Sequence, residues 1–163
     1  IMYRKKDASD QFTHPISKEN FILCDLQECP DSYVYSSDRD DFFEMIWYVD
    51  QHGENKIYLV PPFRGLEISI KDKNGYLISF KREYLDEENK EFALDVFNLF
   101  NQQGQFAFMT VGTTTQVNLK HLYALMHYEI NHELGSSISI KALLKVFLLH
   151  LIRQNQNGLL EQK

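Results

Sequence analysis

Three carboxylates, Asp38, Asp40 and Glu44, form the most suggestive chemical pattern in the sequence. If one strand runs through them, its alternation places all three on the same face. Carboxylate oxygens in such a group suit Mg²⁺, Ca²⁺ or Mn²⁺ better than Zn²⁺. No fourth ligand follows in the sequence, so two interpretations stay open: a site for a cation or for ligand hydroxyls, and a polar turn ahead of a strand.

Histidines and cysteines have spacings that do not favour a metal site. His121, His127 and His132 are not at the i, i+4 spacing of a helical zinc pair, so we expect solvated or interface histidines. Cys24 and Cys29 cannot form a disulfide scaffold, and on one strand their odd spacing places the thiols on opposite faces. We therefore expect two ordinary half-buried cysteines in a reducing cytoplasm.

Glycine-based fingerprints are missing from the sequence. The glycines stand at 53, 65, 75, 104, 112, 135 and 158, which excludes G-x-G-x-x-G, a Walker-type phosphate loop and a G-x-S-x-G nucleophile elbow. Nucleotide-binding and hydrolase functions lose their usual support. The formal net charge of -6 lacks the basic excess on which phosphate-backbone binding relies, so we expect no direct contact between this chain and nucleic acid.

The length of 163 residues, with 44% apolar and 13% aromatic residues, predicts one globular domain. Short runs rich in aromatic and β-branched residues, separated by Pro and Gly, fill the first two thirds. The predicted strands are Phe21–Leu26, Tyr33–Ser36, Phe42–Val49, Ile57–Val60, Leu66–Ile70, Tyr76–Phe80 and Phe106–Val111. Asn74-Gly75 predicts a type I′ hairpin turn. Many short strands at close spacing predict a sandwich or barrel.

The last third of the sequence has helical periodicity. Apolar residues recur at three and four positions over 116–134, Gly135 ends that helix, and a second helix starts at one of the serines 136, 137 and 139 and runs to about Asn155. So short a link predicts an antiparallel helical hairpin. A shorter helix is expected over Glu87–Gln103.

The second hairpin helix carries more apolar surface than one contact face needs, which predicts a partner chain. The expected dimerisation residues are Leu119, Leu122, Met126, Val146, Leu149 and Ile152. The alternative is that Leu119, Leu122 and Met126 cover the second helix's other three residues within a single chain, so that no partner is needed.

Three segments carry a family resemblance: 41–49 (DFFEMIWYV), 57–62 (IYLVPP), and 75–80 (GYLISF) followed by Glu83-Tyr84-Leu85. In this order, with the helical pattern of 119–153, they resemble the N-terminal cupin-type sensor domain of AraC-family transcription regulators. The resemblance implies a mostly β fold with C-terminal helices. Its parts are a cupin-like double-stranded β-helix (jelly-roll barrel) over 1–112, a dimerisation hairpin over 113–156, and a linker over 157–163.

Departures from the family pattern limit what the resemblance implies. Metal-binding cupins carry H-x-H-x-x-x-E where this sequence has Asp38, Asp40 and Glu44, and a later His where it has Phe63-Arg64. We therefore expect no metal and no cofactor. The stretches near 50–56 and 64–66 are shorter than in the family. Nothing after Arg153 resembles the helix-turn-helix units that read DNA, and a chain that begins with Ile is expected to be an excerpt of a longer product.

Together these features predict an effector-sensing and dimerisation domain, and not an enzyme. We expect a cytoplasmic homodimer that binds a small polar molecule, such as a sugar or small carboxylate, and reaches DNA only through a missing domain. Aromatic faces and a guanidinium group suit such a ligand. The expected ligand-binding residues are Glu44, Trp47, Tyr48, Tyr58, Arg64 and Tyr76. Alternation allows at most one of Trp47 and Tyr48 to face the barrel interior.

Two other functions stay open. A metal-dependent cupin enzyme would use Asp38, Asp40 and Glu44, and a constitutive dimerisation module would have a barrel filled by its own side chains. The most apolar stretch, 142–152, falls short of the length that spans a bilayer, and residues 1–7 lack a signal-peptide core. We therefore expect no membrane partner.

Overall fold

The computed structural model describes residues 20–29, 40–64, 69–70, 72–85, 88–101 and 108–161, with side chains omitted at 108 and 157–161. In this part the chain forms one five-stranded antiparallel sheet and three α-helices. About 50% of the described chain is helical and 23% lies in strands. Helix therefore outweighs strand here, contrary to the expected mostly β composition.

Runs of aromatic and branched side chains form the strands, because such residues fit a pleated, buried surface. The strands are β1 (Phe21–Asp25), β2 (Phe43–Val49), β3 (Asn55–Val60), β4 (Gly75–Phe80) and β5 (Phe108–Thr110). They lie in the order β1-β4-β2-β3-β5, and all neighbours are antiparallel. The sheet is open, so the described residues do not close it into the expected jelly-roll barrel.

A tight turn built on Asp50 joins β2 directly to β3. One oxygen of its carboxylate, Oδ1, accepts the backbone N–H of His52 at 2.8 Å and that of Glu54 at 2.9 Å. Gly53 takes a φ of 78°, which a side chain would disfavour. The direct hairpin accounts for the short stretch after Val49.

The expected type I′ turn at Asn74-Gly75 is wrong. Gly75 is instead the first residue of β4, outside the left-handed region, and a Cβ there would lie 1.8 Å from the carbonyl oxygen of Trp47. The glycine is thus needed for close approach of two strands and not for a turn. Tyr33–Ser36 lies outside the described residues, and 69–70, the described end of Leu66–Ile70, is not in a strand.

The helices agree with the periodicity of the sequence. They are α1 (Lys90–Phe100), α2 (Thr113–Asn131) and α3 (Ser137–Glu161). Asn89 caps α1 by accepting the N–H of Phe92 at 3.0 Å. Residues 132–136 connect α2 to α3, and the two pack together as the expected hairpin. Residues 157–161, expected to be a linker, continue α3 because no proline interrupts a run that includes two leucines.

The helices cover one face of the sheet through aromatic contacts. The ring pairs, with centroid separations, are Trp47 with Phe147 of α3 at 6.0 Å, Phe43 with Phe100 of α1 at 5.1 Å, and Tyr76 with Tyr123 of α2 at 4.1 Å. The side-chain amide of Gln154 in α3 makes two hydrogen bonds with the backbone. It accepts the N–H of Gly112 at 3.2 Å and donates to the carbonyl of Thr110. These bonds connect α3 to the segment between β5 and α2.

Candidate functional site

A pocket of about 240 Å³ lies where the strand ends meet α2. It is formed by the end of β2, the starts of β3 and β4, the residues at and after the end of β1, and the first half of α2. Three aromatic side chains, three amides, a carboxylate and an ammonium group border it. We call it the Trp47 pocket, and its residues are Asp25, Gln27, Trp47, Tyr48, Val49, Asn55, Asn74, Gly75, Tyr76 and Lys120.

Hydrogen bonds and ring contacts hold the walls of the Trp47 pocket. The indole Nε1–H of Trp47 donates to Oδ1 of Asn55 at 3.0 Å, and its ring meets that of Tyr76 edge-on at 5.5 Å. Gln27 donates to the side-chain oxygen of Asn74 at 2.6 Å. Amides held in this way can orient the hydroxyl or carboxylate groups of a small molecule, and the neighbouring aromatic rings can stack on its apolar face.

Tyr123 lies behind the pocket and supports Tyr76. Burial is the main cause that raises the pKa of Tyr123 above its usual value, and negative charge at Cys24 and then Asp25 adds to the shift. The phenol therefore stays neutral at physiological pH, and its ring packs against that of Tyr76 at a centroid separation of 4.1 Å, with the two planes tilted by 37°.

The structure brings together three of the six expected ligand-binding residues. Trp47, Tyr48 and Tyr76 all border the Trp47 pocket. Alternation places Trp47 and Tyr48 on opposite faces of β2, yet both line the same pocket because it opens at the end of the strand and not on one face of the sheet. Asp25, Gln27 and Lys120 border the pocket too, and nothing in their sequence spacing indicates it.

The other three expected ligand-binding residues lie elsewhere. Glu44 and Tyr58 share the sheet face opposite Trp47, where they are 4% and 6% exposed. A carboxylate oxygen of Glu44 accepts a hydrogen bond from the hydroxyl of Ser79 at 3.1 Å. Arg64 is exposed beyond the end of β3. None of these side chains lines the Trp47 pocket.

The carboxylate pattern does not follow one strand. Asp38 lies outside the described residues. Asp40 is exposed in a turn, where its carbonyl accepts the N–H of Phe63 at 2.5 Å, whereas Glu44 is buried within β2. Because β2 begins only at Phe43, strand alternation does not relate Asp40 to Glu44. Across the described ranges, no three His, Cys, Asp or Glu side chains are grouped so as to hold a metal ion.

The expectation that Cys24 and Cys29 lie on opposite faces is wrong. Their Sγ atoms are 2.7 Å apart, and both residues are buried. Strand β1 ends at Asp25, and a short 3-10 helix, Leu26–Glu28, turns the chain so that Cys29 returns to Cys24. Strand alternation does not extend past Asp25, where β1 ends, and Pro30 is the nearest sequence signal of the turn.

The expected dimerisation residues pack mostly within the chain. Leu119, Met126 and Ile152 are buried, Leu122 and Leu149 are half-buried against the same core, and Val146 is 40% exposed. Two residues of the second stripe, Leu149 and Ile152, are therefore covered within the single chain, whereas Val146 is not. The large apolar residues that α2 exposes are Val117, Leu125 and Tyr128, at 49%, 52% and 61%. Helical spacing puts them on one face, which we call the α2 outer stripe.

A second depression of about 960 Å³ lies at the opposite end of the sheet, beside α1. Apolar residues and charged residues of both signs line it, and Phe63 among them is 80% exposed. We call it the Phe63 groove, and Lys90 and Leu94 of α1 also line it.

The chain matches no family model, no curated protein and no solved structure. No helix in the described ranges is both long and apolar enough to cross a bilayer.

Proposed function

We propose that the chain is the effector-sensing and dimerisation domain of an AraC-type transcription regulator with a cupin-like fold. A small polar effector binds in the Trp47 pocket and controls a helix-turn-helix domain that is not in this chain. The observation that carries the proposal is the convergence of Trp47, Tyr48 and Tyr76 with Lys120 of α2 at one pocket. A molecule bound there touches the sheet and the helical hairpin at once.

The size and lining of the pocket favour a small effector. Its volume of about 240 Å³ lies below the range of about 300–1,000 Å³ typical for drug-sized ligands. The ammonium group of Lys120 suits a carboxylate, whereas the amides of Gln27 and Asn74 suit hydroxyl groups. A single sugar ring or a small carboxylate fits both the volume and these donors.

Control of the hairpin follows from the position of the pocket. Lys120 lies one helical turn from Val117, the first residue of the α2 outer stripe. An effector that contacts Lys120 better in one placement of α2 shifts the population toward that placement. Such coupling is on the order of 1–3 kcal/mol in allosteric proteins, enough to change how two copies pair.

A thermal-shift screen with monosaccharides and small mono- and dicarboxylates tests the proposal. A compound at 100 times its Kd raises the free energy of unfolding by about 2.7 kcal/mol. The Tm rise should shrink in Lys120→Ala and persist in Lys90→Ala, a matched loss of an exposed helical lysine at the other end of the sheet. The absence of any Tm rise, or equal losses in the two variants, would reject the Trp47 pocket as the effector site.

The dimer is proposed to form through the α2 outer stripe together with Val146, because these apolar side chains remain exposed in the single chain. A two-fold arrangement would bury the same face of both copies. Sedimentation equilibrium should give a dimer for the native chain and a monomer for Leu125→Glu. Leu94→Glu is the control and should stay a dimer, because Leu94 is similarly exposed, at 59%, but lies on α1 and outside the proposed interface. A native chain that is monomeric at tens of micromolar would contradict the dimer.

A further inference from the structure

We infer that Cys24 and Cys29 are a redox-modification site, at which the two thiols form an intramolecular disulfide in the folded chain. Their sulfur atoms are 2.7 Å apart, within hydrogen-bonding contact, and no disulfide joins them. A disulfide needs a separation of about 2.0 Å, so closure requires a small approach of two side chains already in contact. The inference is independent of the function proposed above.

Separate elements of the fold hold the two sulfurs in place. Cys24 lies in β1 and pairs in register with Leu77 of β4, so the sheet fixes its position. Cys29 follows the 3-10 helix, is 0% exposed, and has its Sγ 3.5 Å from the backbone oxygen of Asp25. Because folding already brings the groups together, the intramolecular step has a high effective concentration.

The chemistry is thiol–disulfide exchange with a low-molecular-weight disulfide such as glutathione disulfide. The thiolate of one cysteine attacks an oxidant sulfur, forming a mixed disulfide and releasing one glutathione thiolate. The second cysteine attacks the protein sulfur of that mixed disulfide, forming the Cys24–Cys29 bond and releasing the second glutathione. The protein thiols lose two electrons and two protons in total, and the oxidant leaves as two thiols.

Closure has a structural consequence at the Trp47 pocket. Asp25 and Gln27 stand between the two cysteines and border that pocket. A disulfide would enclose both in a small covalent ring and fix this part of the wall. Burial of both sulfurs also means that a small oxidant reaches them only when the turn opens, so the equilibrium is best measured on chains that refold in the redox buffer.

The test compares the same chain folded and unfolded. One sample is refolded from urea in glutathione buffers of graded composition, and a second sample is kept in urea in the same buffers. Both are then quenched with acid and alkylated, and the mass of the intact chain is measured by mass spectrometry. We expect the disulfide form to carry no alkyl group and to weigh about 2 Da less than the unmodified reduced chain. It should be half-formed in the folded chain at a buffer at least about tenfold more reducing than the one needed in urea. By linkage, the oxidised chain should also melt higher than the reduced one.

Cys24→Ser and Cys29→Ser are the matched controls, because each removes one sulfur and keeps a small polar side chain. They should form only a mixed disulfide with glutathione and show no oxidation-dependent gain in Tm. Half-formation at the same buffer composition in folded and unfolded chains would overturn the inference, as would disulfide-linked dimers in place of the intramolecular bond. Effector binding is measured separately in reducing buffer, so failure here leaves the proposed function standing.

Discussion

The indole Nε1–H of Trp47 donates a 3.0 Å hydrogen bond to the side-chain oxygen of Asn55 across the β2–β3 hairpin. The two residues are diagonal neighbours on one sheet face, since Trp47 pairs with Ile57 and Asn55 pairs with Val49. They are 1% and 9% exposed. Asn55 therefore satisfies a buried donor that water does not reach and sets the orientation of the largest aromatic ring in the pocket.

Asn55→Ala should lower the free energy of unfolding by about 1–3 kcal/mol, because it leaves the buried indole N–H without its acceptor. Trp47 is the single tryptophan of the chain, so urea unfolding followed by its fluorescence reports on the changed site itself. Asn74→Ala removes an exposed amide of the same pocket and should change stability by less than about 0.5 kcal/mol. Equal losses in the two variants would show that the Trp47–Asn55 bond contributes little.

Gly75→Ala should destabilise the sheet by about 1–3 kcal/mol or more. The added Cβ would lie 1.8 Å from the carbonyl oxygen of Trp47, and backbone cannot yield as a flexible side chain does. Gly112→Ala is the control, because the nearest atom to its new Cβ is 3.9 Å away. Denaturant unfolding of both variants tests the prediction, which fails if Gly75→Ala is as stable as Gly112→Ala.

Asp50 should titrate below its ordinary value and couple the β2–β3 turn to pH. The backbone N–H of Glu54 is the main cause that lowers its pKa from 3.8, with further lowering from the His52 N–H and from Lys56, 3.2 Å away. Since the folded pKa is the lower one, the stabilisation is complete above 3.8 and is lost as pH falls through the folded value. Carboxyl NMR should give a midpoint below 3.8, and a midpoint at or above 3.8 would contradict this prediction.

The sequence predicts the elements well wherever one periodicity persists for several residues. Apolar spacing in 116–134 gives a helix observed at Thr113–Asn131, and the Phe42–Val49 run gives β2 within one residue. Periodicity specifies which face a side chain takes but not where a strand stops. The separation predicted for Cys24 and Cys29 is wrong because β1 ends between them.

The pocket shows the same limit at the level of the site. Trp47, Tyr48 and Tyr76 are predictable as aromatic residues of β2 and β4, but their meeting depends on the sheet order, in which β4 lies between β1 and β2. Lys120 joins them only because α2 packs across that end of the sheet. Such long-range contacts have no local signature, so residue spacing does not identify Lys120. Glu44 is a different case, because it lies three residues before Trp47 on β2 and strand alternation alone places it on the opposite face.

Phe63 should store backbone strain that glycine relieves. Its φ of 66° lies in the left-handed region, which costs a residue with a Cβ about 1–2 kcal/mol. Its side chain is 80% exposed, so truncating it removes little apolar burial.

Phe63→Ala keeps the backbone strain, whereas Phe63→Gly removes it at an entropic cost of about 0.5–1 kcal/mol. The glycine variant should therefore be the more stable of the two by up to about 1.5 kcal/mol in urea unfolding, the reverse of the usual order of alanine and glycine. An alanine variant as stable as the glycine variant would mean that the turn after β3 relaxes to an ordinary φ without cost.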